Sequence, residues 1–182
     1  MKLTTASKIT LIRVALIPVF LVLMWSDFTG HMWWALGLFI LASGTDWVDG
    51  YVARHYNQVS SFGKFIDPLA DKLLVTAAMM VFVEWGQFPA WAAILVLTRE
   101  FAVTGLRLVA VEGGRVIAAG WSGKVKTFST MICMCLMLTP WHASPLGGLG
   151  WLTIDSLSTW IIVITTVWSG LEYFVKNRDV FN

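Results

Sequence analysis

Apolar stretches of roughly 17 to 25 residues recur along the chain, each long enough to cross a bilayer as a helix. They run Ile9–Trp25, Met32–Arg54, Phe62–Trp85, Phe88–Val111, Trp121–Thr139 and Trp151–Phe174. Short punctuated turns separate them: Asp27–Gly30, Gly86–Pro89, Gly113–Gly114 and Pro145–Gly150. The pattern predicts an all-α, polytopic membrane protein with six transmembrane helices, forming a single domain over residues 1–182. The first run is read as a transmembrane helix and not as a secretory signal, because Arg13 interrupts it and no small-residue cleavage pattern follows.

Composition agrees. Hydrophobic residues make up 57% of the 182 positions and charged residues only 13%, about half the roughly 25% usual in soluble domains. Mean hydropathy is +0.72. A net charge of +2 with no basic tail excludes a nucleic-acid partner. Cys133 and Cys135 stand two apart on an apolar helix, point in different directions, and read as small hydrophobes.

Charge gives an orientation. Lys and Arg gather at Lys2, Lys8 and Arg13, at Arg54 and Lys64, at Arg107, Arg115, Lys124 and Lys126, and at Lys176 and Arg178. The intervening connections around Asp27–His31, Glu84–Gln87 and Trp141–Gly150 carry none. The alternation predicts a multi-pass protein of the cytoplasmic membrane with both termini in the cytoplasm. Trp25, Trp33, Trp34, Trp85, Trp91, Trp141 and Trp151 cluster at the opposite helix ends, as an interfacial aromatic belt does.

Polar groups inside the spans break the pattern. Asp46 and Asp49 are three apart at the end of the second span, and Asp67 and Asp71 are four apart at the start of the third. Each pair shares one helix face, and two neighbouring antiparallel helices would present four carboxylates to one cavity. Such a cluster needs compensating cations, and its all-oxygen donors suit hard divalent ions. Helix caps or interfacial salt-bridge partners would explain one aspartate more readily than four at helical spacing beside small residues.

Together these residues resemble the CDP-alcohol phosphotransferase motif, D-x2-D-G-x2-A-R-x8-G-x3-D-x3-D. All eight fixed positions are present: Asp46, Asp49, Gly50, Ala53, Arg54, Gly63, Asp67 and Asp71. The resemblance implies the CDP-alcohol phosphotransferase fold, usually as a homodimer, with an active site open to the cytoplasm. It implies two divalent metals, Mg2+ or Mn2+, on Asp46, Asp49, Asp67 and Asp71, with Asp71 as general base. It also implies that CDP-diacylglycerol is received by Asp46, Asp49, Gly50, Ala53, Arg54 and Gly63.

Three further stretches are similar to phosphatidylglycerophosphate synthases: Ile9–Arg13, Thr98–Arg107 and Gly123–Thr127. They imply glycerol 3-phosphate as acceptor, its phosphate bound by Arg107, Lys124 and Lys126, with Arg115, Thr10 and Arg13 contributing. Inositol phosphate, serine or phosphatidylglycerol are alternative acceptors for the same chemistry. A divalent-cation or proton-coupled transporter is the rival of another class, since carboxylates inside the membrane also mark ion pathways. Arg99 and Glu100 lie well inside a span. Adjacent residues do not face each other on a helix, so each is expected to need a partner elsewhere: an aspartate or substrate phosphate for Arg99, Lys72 for Glu100. His31, His55 and His142 stand singly without ligand spacing and receive no role.

Overall fold

A computed structural model describes the backbone of residues 5–56, 61–113, 117, 120–143 and 152–178, with side chains for 12–44, 72–111, 113, 117, 120–143 and 152–178. Among the described residues every regular element is a helix. The order is α1 (Thr5–Met24), α2 (His31–Tyr56), α3 (Ser61–Glu84), α4 (Ala90–Glu112), α5 (Trp121–Met137) and α6 (Ile154–Lys176). These are the six apolar runs of the sequence, moved by a few residues at their ends. One of them, α6, is long and apolar enough to cross a membrane among the described residues; shorter apolar stretches occupy Ile12–Met24 and His31–Gly44.

The helices divide between two compact units, Met1–Val81 with Leu138–Pro140, and Phe82–Met137 with Trp141–Asn182. In the first, α1 packs on α2. Phe20 and Phe39 are both fully buried, their ring centroids 6.0 Å apart and tilted by 45°. Gly30 turns the chain between the two helices at φ +89, a conformation that a side chain would strain. His31 Nδ1 lies 3.2 Å from the Leu23 carbonyl oxygen and ties the turn to the end of α1. Arg13 is buried in α1.

In the second unit, α6 packs against both α5 and α4. Its start is fixed by a reciprocal cap: the Ser156 amide donates to Thr153 Oγ1 at 3.2 Å, and the Thr153 amide donates to Ser156 Oγ at 2.9 Å. Asp155 in the first turn and Lys176 in the last complement the helix dipole. On α5 and α6 small polar residues are buried beside Cys133, Met134, Met137, Ile162 and Val163. Ser122, Thr130, Ser158, Thr159, Thr166, Ser169 and Gly170 are buried, whereas Trp121, Phe128, Trp160, Ile164, Trp168 and Leu171 are exposed. Small polar residues let helices approach closely where lipid, not water, surrounds them.

A second polar cluster joins two connections of this unit. His142 Nδ1 donates to Asp155 Oδ2 at 2.8 Å, and His142 Nε2 lies 3.3 Å from Gln87 Nε2. The amide therefore donates to Nε2 of a histidine protonated at Nδ1. His142 stands alone in the sequence because its partners are 13 and 55 residues away. Asp155→Ala removes the acceptor and is expected to cost about 1–3 kcal/mol. The check is a lower melting midpoint in detergent with unchanged helical circular dichroism at low temperature.

Candidate functional site

The motif aspartates fall on helical backbone, Asp46 and Asp49 in α2 and Asp67 and Asp71 in α3. Each pair is thus one turn apart along its own helix. The side chains of all eight motif residues, Asp46, Asp49, Gly50, Ala53, Arg54, Gly63, Asp67 and Asp71, lie outside the described residues, as does that of Thr10; Arg115 lies outside them altogether. Among the described residues no group of three or more His, Cys, Asp and Glu is placed to hold a metal.

The described part of the site is built on α4, α5 and α6. Lys126 is buried on α5, and its ammonium donates to Glu100 Oε1 on α4 at 2.7 Å. Arg99 Nη1 donates to the same oxygen at 3.0 Å. One carboxylate oxygen therefore takes two cations.

The Arg99–Glu100 contact departs from the expectation that neighbouring residues do not meet. Their Cβ atoms do diverge around the helix, but a guanidinium on a three-carbon stem reaches back around the turn to its neighbour. Lys126 supplies the contact across helices. The cluster is also locked from behind. Thr104 Oγ1 donates to the Glu100 carbonyl at 2.7 Å, and Thr130 Oγ1 to the Lys126 carbonyl at 2.8 Å.

Glycines seat Arg99. A Cβ on Gly170 of α6 would stand 3.3 Å from Arg99 Cγ, and one on Gly123 of α5 would stand 3.8 Å from Arg99 Nη2. Arg99 Nε is buried without a hydrogen-bond partner. Further along α4, Arg107 Nε donates to the Tyr173 hydroxyl at 3.0 Å, and its guanidinium carbon lies 5.5 Å from the Tyr173 ring centroid. Tyr173 packs with Val103 and Leu106 in a buried cluster joined by Ile117 and Phe174. A tyrosine 66 residues from its arginine leaves no local signal in the sequence.

Of the acceptor-side residues expected from the sequence, Arg107 and Lys126 are held by polar partners on neighbouring helices of this unit, whereas Lys124 is exposed on α5. Arg13 is buried in the other unit.

A family model described as CDP-alcohol phosphatidyltransferase matches residues 3–168. The chain is similar to a Bacillus subtilis CDP-diacylglycerol–glycerol-3-phosphate 3-phosphatidyltransferase, with 47% identity over 95% of this chain and 94% of that protein. It is 35% identical to a probable phosphatidylglycerophosphate synthase of Mycobacterium tuberculosis, over 96% of this chain and 82% of that one. An Escherichia coli protein with the same name as the Bacillus relative is 33% identical over 98% of this chain and 97% of its own.

The tight contact at Gly170 yields a graded expectation. Gly170→Ala asks the flexible Arg99 stem to move a few tenths of an ångström, costing under about 1 kcal/mol, whereas Gly170→Leu overfills the seam and costs about 1–3 kcal/mol. Melting midpoints in detergent separate the two.

Proposed function

The chain belongs to the CDP-alcohol phosphatidyltransferase family, and from that premise we propose that it transfers the phosphatidyl group of CDP-diacylglycerol to sn-glycerol 3-phosphate. The products are phosphatidylglycerophosphate and CMP, and the role is anionic phospholipid biosynthesis. The observation that carries this reading is the presence, in one chain, of the complete eight-residue donor motif and a cluster on α4 and α5 in which buried Lys126 and half-buried Arg99 meet on Glu100. Relatives named for this reaction match nearly from end to end.

The donor side rests on α2 and α3. Four carboxylates at helical spacing are hard oxygen donors, and Asp46, Asp49, Asp67 and Asp71 would hold two divalent ions, Mg2+ or Mn2+. Bound there, the ions would neutralise the pyrophosphate of the donor. Gly50 and Ala53 leave room for the nucleotide against α2, and Gly63 permits a close approach of α3. Asp71 accepts the proton of the acceptor hydroxyl as its oxygen bonds to the phosphorus bearing diacylglycerol. The bond from that phosphorus to the oxygen of CMP breaks, and Arg54 balances the charge that collects on the departing phosphate.

The acceptor side uses cations. Arg107, Lys124 and Lys126 bind the phosphate of glycerol 3-phosphate through charge-assisted hydrogen bonds, with Arg115, Thr10 and Arg13 completing the shell. Burial of Lys126 beside a carboxylate, and the seating of Arg107 on Tyr173, support this assignment.

The setting is the cytoplasmic membrane. All six helices cross it in a single domain, both termini and the site face the cytoplasm, and two copies assemble as a homodimer. Small polar residues buried in α5 and α6, with large apolar ones exposed, support lipid as the surrounding medium, and the alternation of basic and uncharged connections supports the orientation.

Purified protein given CDP-diacylglycerol is expected to release CMP when glycerol 3-phosphate is added; release with another alcohol alone would overturn the acceptor. Asp71→Asn is expected to lower turnover by about a hundredfold or more while donor binding to the protein, measured without acceptor, largely persists. Wild-type turnover in that variant would remove Asp71 as the base.

A further inference from the structure

Glu100 meets both Lys126 and Arg99, and the reaction as proposed gives it no task. Resting on the acceptor reading above, we infer that Glu100 is a positioning residue that fixes the Lys126 ammonium, and the Arg99 guanidinium with it, to receive the anionic group of the acceptor. A carboxylate near an anion site opposes the anion by charge alone, so its benefit must lie in holding the cations that outweigh it. Two cations share Glu100 Oε1, at 2.7 Å and 3.0 Å.

A guanidinium carries five donors, so Arg99 can hold Glu100 and an acceptor oxygen at once. Arg99 Nε is buried with no hydrogen-bond partner. Gly170 stands close behind the Arg99 stem, where a Cβ would lie 3.3 Å from Cγ. A lysine on a flexible four-carbon stem is a poor anion anchor until something fixes its head. Glu100 supplies that restraint from the neighbouring helix.

The test uses the full-length protein in mixed detergent–lipid micelles, with CMP release followed as glycerol 3-phosphate and CDP-diacylglycerol are varied separately. Glu100→Gln keeps the shape and removes the charge; it is expected to raise KM for glycerol 3-phosphate about tenfold and to leave KM for the donor within about twofold. Glu100→Asp keeps the charge on a shorter stem and is expected to raise the acceptor KM about threefold, again without moving the donor KM. On a Lys126→Met background, Glu100→Gln is expected to add less than about twofold, because its effect passes through the ammonium.

Equal rises in both KM values, or full multiplication of the two single effects in the double variant, would overturn the positioning role. Should Glu100→Gln not fold, Glu100→Asp decides: an acceptor-only shift supports the inference, and a shift of both constants or of neither refutes it. A wild-type protein whose CMP release ignores glycerol 3-phosphate would overturn the acceptor reading and this inference together, whereas the variant outcomes bear on Glu100 alone.

Discussion

An ammonium buried among apolar helices must be met by a carboxylate, and the Lys126–Glu100 contact at 2.7 Å answers that demand between α5 and α4. Losing Glu100 would take a counter-charge from Lys126 and Arg99 together. Arg99 joins the same oxygen, and the small residues around it follow from the space a guanidinium needs. Gly170 on α6 and Gly123 on α5 stand where larger side chains would displace it. Charge on α4 thus dictates composition on two other helices.

Small polar residues also line part of the α5–α6 seam of the second unit. In water, burial of Leu, Ile and Trp drives helices together; in lipid that drive vanishes, and close packing and hydrogen bonds take over. Ser129 Oγ donates to Thr165 Oγ1 at 3.3 Å across the α5–α6 seam, and Ser169 donates to the Thr166 carbonyl. Trp160, Ile164, Trp168 and Leu171 remain outside. The arrangement would leave a large apolar surface facing water in solution, a condition that soluble monomers avoid. The placement of side chains on α6 thereby supports the proposed membrane setting alongside composition.

Most of the helical organisation was legible because it is written in run lengths and punctuation. Gly30 and Gly86 adopt φ of +89 and +72 within two of the turns marked by glycine and proline. The donor motif was legible because its eight positions lie within 26 consecutive residues, Asp46–Asp71. Contacts made by distant residues were not. Tyr173 beneath Arg107 and Asp155 beside His142 depend on how α6 lies on its neighbours, which no local spacing encodes. The Arg99–Glu100 contact failed for a different reason. Helical-wheel geometry tracks Cβ directions, whereas long charged side chains bend wherever the counter-charge lies.

Transfer between two phosphorus-bearing substrates sets a selectivity problem that the division of charge addresses. The donor pyrophosphate and the acceptor phosphate are both anions, and cations free to serve either would let each substrate block the other's place. In the proposed reaction the donor is gripped through carboxylates and divalent ions on α2 and α3, which a mobile lysine would disturb. The acceptor is gripped by organic cations on α4 and α5, and Glu100 keeps Lys126 and Arg99 committed to that task. A carboxylate in an anion site, which looks like a defect when charges are simply added, is then a means of confining positive charge to one place.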